Sequence, residues 1–158
     1  MTEGYRGPQA CKIVGITYRQ LDYWTRTKLV SPSISPASGS GTQRLYSFND
    51  LLQLKIIVNL LEAGLSLQKV REALDYARST LADDWAKATI VAHGKGVYAL
   101  TSQEEVFDLL RHGQGVLGAV VTVDSVREDL QGTLRELRPA SDPVEYVSDG
   151  KQATVKEG

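Results

Sequence analysis

Apolar positions in the first half of the chain recur at helical spacing, interrupted once by a long polar excursion. Gly7-Pro8 open a predicted helix over 8–14, where proline's missing N–H leaves nothing unsatisfied, and Gly15 closes it in a tight turn. Ala10, Ile13 and Val14 face its core side, and Cys11 is expected to pack there as a small hydrophobe. Thr17 then caps a second helix over 17–27. Ile16, Leu21 and Trp24 fall inward, while Tyr18, Arg19, Asp22, Tyr23 and Arg26 fall on the opposite side. Ser47, with Asp50 three residues on, begins a third helix over 48–63. Its apolar face is wide (Phe48, Leu51, Leu52, Leu54, Ile57, Val58, Leu60, Leu61), which makes it the expected hub of a first core. Gly64 ends that helix, and Ser66 caps a fourth over 67–79 with Leu67, Val70 and Leu74 inward.

The interruption, residues 31–43, reads SPSISPASGSGTQ and has little to bury, so it is a loop or hairpin tip. It returns into Arg44-Leu45-Tyr46, where strand alternation puts Arg44 and Tyr46 on one face and Leu45 on the other. After a polar linker at 80–87 the period changes. Residues 89–92 and 97–100 are strand-like, with His93-Gly94-Lys95-Gly96 as a hairpin turn between them. Ser102 caps a helix over 103–112, with Glu104 and Glu105 favourably placed in its first turn. Residues 116–123 are β-branched and glycine-punctuated and favour a strand, but also fit a helical stripe. Ser125 with Glu128 forms a capping box for a last helix over 126–137. Residues 139–158 are polar and hold two of the five prolines, the composition of a disordered tail. The fold class expected is mainly α with small β elements. A winged helix-turn-helix at 1–79 is followed by a small α+β module at 80–138 and the tail.

Composition narrows the function. With 42% hydrophobic and 23% charged residues the chain is an ordinary globular one. It has no apolar run near membrane-spanning length and no apolar signal core at its start, so a cytoplasmic protein is expected. Cys11 is the single cysteine, which excludes an internal disulfide and a multi-thiolate metal site. The net charge of −1 divides unevenly: residues 1–79 hold 10 Lys and Arg against 6 Asp and Glu, residues 80–158 hold 8 against 13. A basic front and an acidic back suit a protein that meets nucleic acid with one end. No Cys/His pair, phosphate-cradling glycine motif or carboxylate cluster suggests an enzyme, and neither cofactor nor metal is expected. His93 and His112, the only histidines, have no ligand partner at usable spacing.

Two short helices joined by a glycine-containing turn form a helix-turn-helix, whose second helix enters the major groove. On that reading Arg19 meets a guanine edge or a phosphate, Tyr18 a thymine methyl or a sugar, and Tyr23 a phosphate oxygen. The returning wing follows the minor groove or the adjacent backbone. Left to itself, the helix also fits a wet aromatic face or a surface for a partner protein.

These residues resemble the MerR family of bacterial winged-helix regulators. The resemblance covers roughly 5–79 and rests on linked pieces in order. These are Gly15-Ile16-Thr17, Tyr23-Trp24, Leu29-Val30 with Pro32, Arg44-Leu45-Tyr46-Ser47, Asp50-Leu51, and the connector Leu61-Glu62-Ala63-Gly64-Leu65-Ser66-Leu67. It implies a homodimer on pseudo-palindromic promoter DNA, acting by distortion of the promoter, with RNA polymerase as a possible partner. The DNA-binding residues it implies are Thr17, Tyr18, Arg19, Tyr23, Arg26, Arg44 and Tyr46. The chain departs from the family at Asp22, where an arginine is usual. An acidic residue facing phosphate repels it, so Asp22 either reads a cytosine amino group or buttresses Arg19 or Arg26. It also departs beyond Arg78, where members usually continue into one long dimerising helix. There it resembles a compact actinobacterial subgroup with a small C-terminal α/β module, associated with growth and cell-division genes. That module, at about 55 residues, is small for an independent core and is expected to gain stability by pairing with a second copy. Its apolar residues are then core and interface sooner than an effector pocket. The alternative is a winged helix that binds a protein, such as a sigma factor or its antagonist, and Asp22 is the feature that favours it.

Overall fold

In the computed structural model the described residues are 4–35, 44–81, 87–93, 96–112, 117–137, 144–148 and 151–155. They group into two compact units, Met1–Lys55 with Asp129–Gly158, and Ile56–Glu128.

The first unit begins with Tyr5, whose backbone exchanges hydrogen bonds with Tyr46 in both directions at 2.8 Å. Helix α1 (Gly7–Val14) follows, with Pro8 in its first turn and the Gln9 side chain accepting from Arg6 N–H at 3.0 Å. It buries Ala10, Ile13 and Val14, as its periodicity requires. Cys11 is half-buried, and that burial pushes its thiol up. Gly15 takes φ +86°, a left-handed conformation that ends α1 and turns the chain toward α2 (Tyr18–Arg26).

The wing base is built by backbone pairing and one carboxylate. Ser35 bridges Leu45 antiparallel, beside the bridge from Tyr46 to Tyr5. Ser47 caps α3 (Phe48–Glu62) through a reciprocal pair: its N–H donates to Asp50 Oδ2 at 2.8 Å, and its Oγ accepts from Asp50 N–H at 3.1 Å. Asp50 Oδ2 also accepts from Ser33 N–H at 2.7 Å and Ser33 Oγ–H at 2.8 Å. One buried aspartate therefore caps the helix and pins the outgoing arm of the wing. The tip, residues 36–43, lies outside the described residues.

Helix α3 was expected to be the hub of a first core, and it is buried along most of its length. Leu51, Leu52, Leu54, Ile56, Ile57 and Leu60 are all buried. These buried positions surround the helix axis instead of forming one stripe.

In the second unit Gly64 (φ +102°) and the Ser66 cap start α4 (Leu67–Leu81), which buries Val70, Ala73, Leu74 and Ala77. A three-stranded antiparallel sheet follows in the order β2-β1-β3, from β1 (Thr89–His93), β2 (Gly96–Leu100) and β3 (Leu117–Thr122). The 117–122 segment is thus a strand, because its β-branched residues pair along β1. Ile90 is in register with Ala99 and Val121 on a buried face, and Val91 with Tyr98 and Val120 on the other, where Tyr98 and Val120 are exposed. His93 was expected in a turn; it ends β1, paired with Gly96 and buried. Residues 94–95 lie outside the described residues.

Helix α5 (Gln103–His112) carries the Ser102 cap, whose Oγ accepts from Glu105 N–H at 3.1 Å. Helix α6 (Val123–Leu137) begins at once after β3, with Val123 N–H donating to Ala88 O at 3.0 Å. The start expected at 126 under a Ser125 cap is therefore corrected. The sheet edge hands its backbone directly to the helix, and Ser125 lies exposed inside the first turn. The tail expected to be disordered holds a hairpin, β4 (Val144–Ser148) with β5 (Lys151–Val155). Val144-Glu145-Tyr146-Val147 has strand composition, and Asp149-Gly150 is a hairpin-favouring dipeptide, signals that overall polarity concealed.

Asp50→Ala strips the acceptor from three donors at once. It should destabilise the chain by about 1 kcal/mol or somewhat more, since a helix cap and two bonds from Ser33 are lost at a part-buried site, read as a shift of the denaturant midpoint at unchanged slope.

Candidate nucleic-acid interface

Helix α2 is fixed at its start by a capping box. Thr17 Oγ1 accepts from Gln20 N–H at 3.1 Å, and Gln20 Oε1 accepts from Thr17 N–H at 3.0 Å. Leu21, Trp24 and Thr25 are buried, which commits the helix to one rotational setting. The opposite side then presents Tyr18 and Tyr23, each nearly half exposed, with Arg19 and Arg26. Tyr18 lies over the start of α1: a Cβ at Gly7 would stand 2.9 Å from its Cε1, so the glycine is what seats the ring.

Arg44 and Tyr46 share a face, as alternation predicts, but that face is turned inward. The Arg44 guanidinium is 6% exposed, and its Nη1 donates to Asp22 Oδ1 at 2.9 Å. The other oxygen of Asp22 accepts from Arg26 Nε at 2.8 Å. Tyr46 is fully buried, with its hydroxyl 2.8 Å from Thr25 Oγ1. The returning wing strand thus grips α2 at Asp22 and Thr25, three residues apart and so on one helical face.

The electrostatics follow from this contact. Hydrogen bonds from Arg26 and then Arg44 hold the Asp22 carboxyl below the usual carboxylate range. Burial alone would pull the Arg44 guanidinium down; the Asp22 hydrogen bond and the nearby tyrosines outweigh it and leave it raised. Burial pushes the Tyr46 phenol up, against the hydrogen bond to Thr25. Arg44 Nε is buried and unpartnered among the described residues, so Asp22 is the carboxylate that compensates this charge.

Past Arg26 the helix closes in a Schellman turn. Lys28 N–H donates to Thr25 O at 3.1 Å and Leu29 N–H to Trp24 O at 2.9 Å, with Leu29 and Trp24 both buried. The turn places Lys28 at φ +63°, where an L side chain costs about 1–2 kcal/mol and glycine is the usual occupant.

Of the residues singled out in the sequence, Thr17, Tyr18, Arg19, Tyr23 and Arg26 lie exposed on or just before α2, while Arg44 and Tyr46 sit beneath it. Asp22 does buttress Arg26; its second partner, Arg44, was not foreseen. The pair is 22 residues apart and meets only once the wing has folded back. Among the described residues no cluster of three or more His, Cys, Asp or Glu is disposed to hold a metal, and no helix is long and apolar enough to cross a membrane.

A capped two-helix unit whose second helix is exposed on one side and backed by a wing is a winged helix-turn-helix. Residues 5–77 match the family described as MerR HTH family regulatory protein, and this segment is a domain of that family. The chain is also similar to an uncharacterized HTH-type transcriptional regulator of Mycobacterium bovis, 53% identical over 133 residues, 84% of this chain. Proteins of the same description in two strains of Mycobacterium tuberculosis match to the same extent. The chain spans 58% of the length of these relatives.

A carboxylate depressed on folding adds stability above its unfolded value, and that stability is lost as pH falls through the folded value. The wild-type chain should therefore lose thermal stability as pH drops through and below the usual carboxylate range, and Asp22→Asn should flatten that acid limb, read by melting across pH. Tyr46→Phe leaves the buried Thr25 hydroxyl unmatched and should cost about 1–3 kcal/mol with no acid-limb change.

Proposed function

We propose that this chain is a sequence-specific DNA-binding transcription regulator that acts as a homodimer on promoter DNA in the cytoplasm, by distorting the duplex. The observation that carries the reading is the exposed face of α2, where Tyr18, Arg19, Tyr23 and Arg26 stand on a helix capped at its start and clasped by the wing. Arg19 suits a guanine edge or a phosphate, and the two tyrosines suit sugar and phosphate oxygens. The match of residues 5–77 to a regulatory helix-turn-helix family supports the same reading.

In this proposal 1–79 is the DNA-binding part and 80–138 the dimerising part, with an effector left open. Arg44 and Tyr46 enter as positioning residues, since each bonds into α2 from below. The alternative, docking on a sigma factor or its antagonist, drew on an acid facing the groove. With the Asp22 carboxylate held by two arginines, no observation favours that alternative.

Selection of sheared genomic DNA by the full chain tests the reading. A shared inverted repeat near promoters is expected in the retained fragments; retention of nothing above background at low salt would overturn it. On a recovered site Arg19→Ala should weaken binding about tenfold or more, since a good bidentate base contact is worth about 1–3 kcal/mol. Unchanged affinity would remove Arg19 from the interface.

A further inference from the structure

Four cations stand on α2, just beyond it, or beneath it, and Asp22 engages two of them, Arg26 and Arg44. The other two are Arg19, in the first turn, and Lys28, just past the end. Both are exposed, and neither has an acidic partner among the described residues. Lys28 is nine positions after Arg19, and the helical stretch from Arg19 to Arg26 alone rises roughly 10 Å, so the two cations stand at opposite ends of α2.

Lys28 is also the one described non-glycine residue at positive φ; the other described positive-φ positions are Gly15 and Gly64. The Schellman turn needs a left-handed residue there, and glycine would meet that need without strain. A lysine in its place calls for a reason. The negative end of the helix dipole offers a weak one, satisfied as well by a cation in the last turn, where Arg26 already stands.

We propose that Lys28 is a phosphate-contact residue of the DNA interface, held in the strained turn so that its ammonium meets the backbone beyond the C-terminal end of the recognition helix. The inference rests on the DNA-binding reading above and adds a contact to it. Arg19 and Lys28 then mark the two ends of the helix within the groove, and Lys28 contributes affinity without base preference.

The test uses the full chain and a labelled mixed-sequence duplex, titrated across salt. Lys28→Asn keeps a side chain tolerant of the left-handed region and removes the charge; Lys28→Gly removes both charge and strain. Both variants should melt at or above the wild-type temperature. Both should bind several-fold more weakly, with the slope of log affinity on log salt reduced by about one. Lys28→Arg should keep the wild-type slope. Wild-type slope and affinity in Lys28→Asn and Lys28→Gly would overturn the contact and leave the DNA-binding reading standing. A wild-type chain that binds no duplex at low salt would overturn both. Lower melting temperatures in both variants would overturn the strain on which the proposal rests.

Discussion

The arrangement of the first unit turns on the contact between Asp22 and Arg44. A guanidinium buried to 6% exposure is tolerable only with a carboxylate beside it, and Asp22 supplies one at 2.9 Å. The pair does not gain much as a surface ion pair would be counted. Its weight lies in what its loss leaves behind, an arginine out of water with nothing opposite it. The wing strand and α2 are therefore locked in one relation, and the hydroxyl contact from Tyr46 to Thr25 repeats the lock three residues along the helix.

That lock explains how an aspartate can stand on the helix proposed to face DNA. Asp22 is charged, but its oxygens are engaged by Arg26 on one side and Arg44 on the other. Those three side chains together carry a net charge of +1, and Arg19 and Lys28 add positive charge toward the two ends of α2. A helix with this pattern can approach phosphate without the repulsion that the bare sequence suggests. The same economy appears at Asp50, where one carboxylate both caps α3 and holds Ser33 of the wing. Two aspartates thus fix the wing against two different helices.

Local signals made most of the fold legible. The caps at Thr17, Ser47, Ser66 and Ser102 all formed, and the burial of Ala10, Ile13, Val14, Leu21 and Trp24 followed from spacing alone. What stayed hidden depended on distant partners. Arg44 reads as a free basic residue at the end of a polar loop, and nothing near it announces a carboxylate 22 residues back. Ser125 reads as a cap because a capping box is local, yet pairing of β3 with β1 carries the backbone into α6 at Val123. The hairpin at 144–155 was hidden by the polarity of its surroundings, and Lys28 by a rule of thumb that assigns left-handed positions to glycine. The exposed face of α2 was read correctly in composition, but which arginines remain available on it required the folded wing.

The central claim is that Arg44 serves DNA binding through Asp22, as part of the scaffold under α2. A double-mutant cycle on duplex affinity addresses it directly, with Asp22→Ala, Arg44→Ala and the pair together measured across salt. If the two act as one clasp, the double variant should bind about as well as the poorer single variant, and Arg44→Ala should leave the salt slope unchanged. Additive losses, with a slope that falls by about one whenever Arg44 is removed, would instead make Arg44 a phosphate contact in its own right and contradict the account.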